Sequence, residues 1–154
     1  MRPLRPFALL LLLGLLANAS GAAPAPGAAE AVLGRWIAYE ASNSTTSVVE
    51  LYLEQGLLAG RVLEVLDAHG QRIAPLCDRC APPLAGRPII GMRFLWGLRF
   101  SDGGWVGGRV LDLRPGLSQG AEANADLSLL DGELVLRAYV GLPLLGQSRV
   151  WRRP

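Results

Sequence analysis

Thr46-Ser47-Val48-Val49-Glu50-Leu51-Tyr52-Leu53-Glu54, ended by Gln55-Gly56, alternates strictly: Val49, Leu51 and Leu53 fall on one side, Glu50, Tyr52 and Glu54 on the other. A period of two is the mark of a strand with one buried face. Working outward, the same pattern predicts strands over Leu33 to Glu40, Thr46 to Glu54, Leu57 to Leu66, Met92 to Phe100, Trp105 to Leu113, Ala121 to Leu130, Glu133 to Val140 and Leu145 to Arg152. In the seventh, Leu134, Leu136 and Ala138 oppose Glu133, Arg137 and Tyr139. Gln55-Gly56, Asp102-Gly103-Gly104, Arg114-Pro115-Gly116 and Asp131-Gly132 supply the positive or preset φ of tight turns, so consecutive strands should pair as a meander. Eight such strands remove their exposed edges by closing, which predicts an all-β, eight-stranded antiparallel up-and-down barrel. No helix of normal length has a place in it.

At 154 residues the chain fits one domain. Met1 to Ala19 reads as a cleaved secretory signal: Arg2 and Arg5, an apolar run from Phe7 to Ala17, then Ala17-Asn18-Ala19 as the small-x-small site. That run is shorter than the about 20 residues a spanning helix needs, so no transmembrane span is expected after cleavage. Ser20 to Ala31, rich in Ala, Pro and Gly, reads as a flexible leader, and residues 32–154 as the barrel domain. A periplasmic or secreted location is therefore expected. Every basic residue is Arg, and the Ala, Gly, Leu and Pro usage suggests GC-rich bacterial coding. Without Arg2 and Arg5, 13 basic residues face 13 acidic ones, and no basic footprint for nucleic acid is left.

Asp67 to Gly91 is the one long connection, and long connections tend to carry function. It holds Cys77-Asp78-Arg79-Cys80, for which three readings stand open. An oxidising compartment favours a disulfide, whose short ring is worth only about 2 kcal/mol. A redox pair would need a helix N-terminus, whereas Ala81-Pro82-Pro83 follows. Zinc would need more ligands than His69, the only histidine, which reads as a solvated turn residue. Gly116-Leu117-Ser118-Gln119-Gly120 has the G-x-S-x-G form of a nucleophile elbow, but a strand follows it and His69 precedes it, so it reads as a hairpin loop. Asn43-Ser44-Thr45 reads as a polar turn, and Glu40, Glu50, Glu54 and Glu64 as a solvated face. No catalytic constellation, cofactor or metal is called for by these motifs.

Arg87-Pro88-Ile89-Ile90-Gly91-Met92 leading to Trp96-Gly97-Leu98, and Trp105-Val106-Gly107-Gly108-Arg109-Val110-Leu111-Asp112 leading to Pro115-Gly116, carry a likeness, together with Arg137-Ala138-Tyr139-Val140-Gly141, Leu144-Leu145-Gly146 and Trp151. Over Leu33 to Arg152 the chain resembles the exported bacterial family called domain of unknown function 2147. The resemblance implies a lipocalin-like barrel without an established activity, and a Cys-x-x-Cys pair in some members. After Gly116 those members commonly continue with Lys, Thr and Tyr, where this chain has Leu117-Ser118-Gln119-Gly120. Gly34-Arg35-Trp36 also resembles the lipocalin opening Gly-x-Trp, in which an Arg from the last strand covers the indole; Arg149, inside the strand, is expected there ahead of Arg152.

Candidate binding or closure residues are thus Trp36, Trp105, Arg109, Arg137, Tyr139, Arg149 and Trp151, with Cys77 and Cys80 as a disulfide. The expected function is a non-enzymatic binding module for a small apolar or amphipathic ligand. An envelope module with a filled barrel and a protein partner is the alternative, and a thiol or metal role of Cys77 and Cys80 a second. An enclosed cavity would favour the first, a packed interior the second.

Overall fold

A computed structural model describes residues 27–154. Residues 1–19, read as a signal sequence, and residues 20–26 of the stretch read as a leader lie outside the described residues. Nine antiparallel strands follow in order: β1 Gly34–Glu40, β2 Thr45–Glu54, β3 Leu57–Leu66, β4 Arg72–Ile73, β5 Arg93–Ser101, β6 Gly104–Leu111, β7 Glu122–Leu130, β8 Glu133–Tyr139 and β9 Gln147–Arg152. Two three-residue 3-10 turns, Glu30–Val32 and Pro143–Leu145, are the helical pieces among the described residues.

The strands run β2-β1-β9-β8-β7-β6-β5-β3, and β2 pairs with β3, so eight of them close into a barrel while the two-residue β4 extends one end of β3. First and last strands pair through Ile37 with Arg152 and Ala38 with Trp151. The expected barrel is therefore present, with most strand limits within two residues of those read from alternation. β4 was not anticipated, because two residues of bridge leave no periodic trace in sequence.

Turn chemistry acts as expected at three hairpins: Gln55 and Gly56, Asp102 and Gly103, and Asp131 and Gly132 all take positive φ, the pairing that suits a twisted two-residue turn. Those hairpins share one end of the barrel with both termini of the described chain. The connections after β1, β3, β6 and β8 crowd the opposite end.

Side chains alternating inward build the core: Trp36, Leu51, Leu58, Leu98, Leu127 and Leu134 are each at most 2% exposed. Leu53, assigned to the same face as Val49 and Leu51, is 44% exposed because it overhangs the end of β2. The interior is tight enough that a methyl group at Gly60 would lie 2.9 Å from the Leu51 side chain and 3.2 Å from Phe94.

Candidate functional site

The termini seal one end. Trp36 Nε1 donates to the Val32 carbonyl at 2.8 Å, and Trp105 Nε1 donates to Ala29 at 3.2 Å. β1 and β6 stand four strands apart in either direction, so the segment from Ala29 to Val32, the inner end of the stretch read as a leader, crosses the barrel floor. The indole of Trp36 is covered by a guanidinium at 3.9 Å, but it belongs to Arg153. Arg149 and Arg152, the expected candidates, are both elsewhere: Arg152 Nε donates to Glu133, and Arg149 lies 3.9 Å from Glu40. Closure sets the reason, since Ile37 opposite Arg152 brings Arg153 beside Trp36. Arg153 also donates to Ala31, Leu33 and Arg35 carbonyls, tying plug to strand.

Two further contacts cross the interior. Phe94 on β5 meets Trp151 on β9 edge to face, centroids 5.8 Å apart. These strands are diametrically opposed, so the rings can touch only through the lumen. At the other end Arg114, just beyond β6, donates to Glu40 of β1 at 3.1 Å and to Asp112 at 2.6 Å, again from opposite walls. Burial pushes the Asp112 carboxyl up, but the side-chain and backbone hydrogen bonds of Arg114 outweigh it and hold the group below its ordinary value. Glu40 is likewise lowered: hydrogen bonds from Ser42 and Arg114 and the charge of Arg149 overcome its desolvation.

The long connection folds over that end. Cys77 and Cys80 stand at disulfide distance, Cα atoms 5.4 Å apart, both buried. Leu76 bridges Pro88, so the expected structureless loop is internally paired. Gln119, 8% exposed, accepts from the Arg79 amide and donates to the Leu76 and Leu113 carbonyls. Gly116 to Gly120 is the hairpin loop expected, with a latch that was not. His69 is exposed in its turn, where Asp67 accepts from the His69 and Gln71 amides.

Outside the barrel, this loop and the wall of β5 and β6 enclose a groove of about 660 Å³ lined by Leu84, Arg87, Pro88, Ile90, Gly91, Met92, Arg93, Trp96, Leu111 and Glu122. A smaller hollow of about 230 Å³, with Glu54, Leu57 and Ala59, adjoins it across Arg93 and Trp96. Arg93 is paired with Glu54 and its guanidinium lies 5.7 Å from the Trp96 ring centroid. Arg109 binds Asn124 and Glu122, fixing an acidic residue of the groove from behind.

The candidate residues do not gather into one site. Trp36, Trp105 and Trp151 are core; Arg109 is on the outer wall; Arg149 is in the mouth. Arg137 holds the connection after β8 by donating to Pro143, Leu144 and Ser148. Beside it, burial and the Asp126 carboxylate push the Tyr139 hydroxyl above its ordinary value. Half of the groove lining lies on the Asp67 to Gly91 connection that the sequence marks for function, but none of the candidate residues lines it. The missing signal is the fold-back of the long loop, which alternation does not encode.

Comparison with known proteins adds a fold and a family. Protein HP1028 from the human pathogen Helicobacter pylori, described as belonging to the lipocalin family, superposes with a TM-score of 0.68 at 19% identity, covering 80% of this chain and 82% of that one. At that identity the likeness is one of fold. No curated protein matches the chain. A family model matches residues 34–153, nearly the whole described chain, and the protein therefore belongs to the family described as an uncharacterized protein conserved in bacteria, DUF2147.

Proposed function

We propose that this chain is an exported, non-enzymatic binding module that holds a small amphipathic anion in the external groove. One observation carries the reading: the groove combines apolar Leu84, Ile90, Met92, Trp96 and Leu111 with Arg87 and with Arg93, itself paired with Glu54, against a single lining carboxylate, Glu122, that Arg109 neutralises from behind. Such a mostly apolar concavity with a few placed polar groups is the general form of a small-molecule site. The lumen is the other place a barrel of this size could hold a ligand, and Phe94 and Trp151 cross it. That crossing supports a filled-barrel envelope module as a second reading, one in which the outer surface does the binding.

Decanoate, decanol and decyltrimethylammonium serve as anionic, neutral and cationic probes of one chain length. Titration followed by tryptophan fluorescence should show decanoate bound most tightly. Ile90→Asp and Arg87→Glu, at exposed positions, should each weaken it by about tenfold, roughly 1.4 kcal/mol. A preference for the cation, or affinity unchanged in both variants, would exclude the groove.

A further inference from the structure

The mouth end of the barrel carries an apolar surface with no partner among the described residues. Val140, Leu142, Leu144 and Leu145 are 78, 66, 86 and 77% exposed on the connection between β8 and β9. Across the same end Leu117 is 92% exposed on the connection after β6. Scattered exposed leucines are ordinary, but a cluster of this density marks an interaction surface. We infer that this end docks on an anionic lipid bilayer, with the tip from Val140 to Leu145 entering the apolar boundary and Leu117 reinforcing it.

Three features select a bilayer over a protein groove or a second copy. The surface is a pair of projecting loops, a shape that inserts. Its backbone is prepared for a water-poor phase, where unpaired carbonyls are costly. Leu142 O accepts from the Leu145 amide, Pro143 O from the Gly146 amide and Arg137 Nε, and Leu144 O from Arg137 Nη2. The charge is also complementary. Arg137, whose guanidinium is paired with no carboxylate among the described residues, holds the base of the tip, and Arg149 lies at the mouth, while Arg152 and Arg153 are at the opposite end. Guanidiniums behind an apolar tip meet lipid phosphates as the tip inserts. This inference is independent of the groove, which is lined by different residues.

The test is flotation of the protein, exported from a bacterial host, with vesicles of phosphatidylcholine alone and of phosphatidylcholine with phosphatidylglycerol. Wild type should float with the anionic vesicles and less with the neutral ones, and added salt should reduce the difference. Leu144→Ser with Leu145→Ser should lower the partition coefficient at least tenfold. Leu130→Ser, 57% exposed at the opposite end, should leave it unchanged. All carry the same N-terminus, so their difference reports the tip alone, and an unchanged melting temperature verifies folding. Equal flotation of wild type and the double variant would overturn the inference. So would failure of wild type to float, or a wild-type dimer that the double variant converts to monomer without any vesicle binding.

Discussion

Arg153 stands one residue past the last strand, yet it ties together the closed end. Its guanidinium stacks on Trp36 and reaches three carbonyls of the plug and β1. Arg153→Ala should lower stability by about 1–2 kcal/mol, read as a fall of several degrees in melting temperature. Arg153→Lys should recover only part, since an ammonium cannot reproduce the planar fork. Strand count and turn chemistry implied that the first and last strands would meet, and the resemblance to the lipocalin opening implied that an Arg would cover Trp36; which Arg depended on a closure register that spacing does not contain. Arg114 is the counterpart at the mouth. Asp112 and Glu40 are both held below their ordinary values, so their stabilisation is complete above the ordinary carboxylate range and is lost as pH falls through the lower folded values. Arg114→Met leaves two shielded carboxylates without their cation. It should cost about 1–3 kcal/mol at pH 7, and the gap from wild type should narrow as the pH is taken down to about 3. A gap independent of pH would mean that the bridge carries no electrostatic stabilisation.

Between elements, the decisive junction is the latch of the β6–β7 connection on the cysteine loop. Gly120 has φ +87, and a Cβ there would lie 2.6 Å from the Arg79 carbonyl and 2.8 Å from Cys80 Cα. Gln119 satisfies three backbone groups of two chain segments with one amide. Gln119→Ala should cost about 1–3 kcal/mol by stranding those groups. Its local signature is faster amide exchange at Arg79, with the amides of β7 and β8 unchanged. Gly120→Ala should reproduce this more strongly and weaken decanoate binding, because the same loop forms one wall of the groove. Slow exchange at Arg79 in both variants would show that the disulfide alone holds the loop. The strands were legible because a period of two survives in any single sequence. The latch was not, since Gln119 and Arg79 lie 40 residues apart and nothing local marks their contact.

Across the whole molecule, three contacts join the wall of β1 and β9 to the wall of β5 and β6: the plug from Val32 and Ala29 to Trp36 and Trp105, the Phe94 and Trp151 rings, and the Arg114 bridge. Strand count and turn chemistry revealed the closure but not what fills it, because lumen volume depends on strand tilt and on which large side chains meet across it. Phe94 is the residue on which that filling turns. It is 6% exposed, and its ring packs against Trp151 and within 3.2 Å of where a Gly60 Cβ would lie. Phe94→Ala should cost about 3–5 kcal/mol and leave an apolar void, and Phe94→Leu a smaller one at lower cost. Apolar cavities of that kind stay dry and accept hydrophobic molecules. The variants should therefore gain a second site that takes decanol at least as well as decanoate, because Phe94 and Trp151 bring no cation into the middle of the barrel. Wild type should keep a single site that prefers the anion and is lost in Ile90→Asp. In the double variant Ile90→Asp with Phe94→Leu, binding should persist but lose its anion preference, separating lumen from groove within one protein. If wild type already binds decanol without preference for the anion, and Ile90→Asp leaves that binding intact, the lumen rather than the groove is the native site.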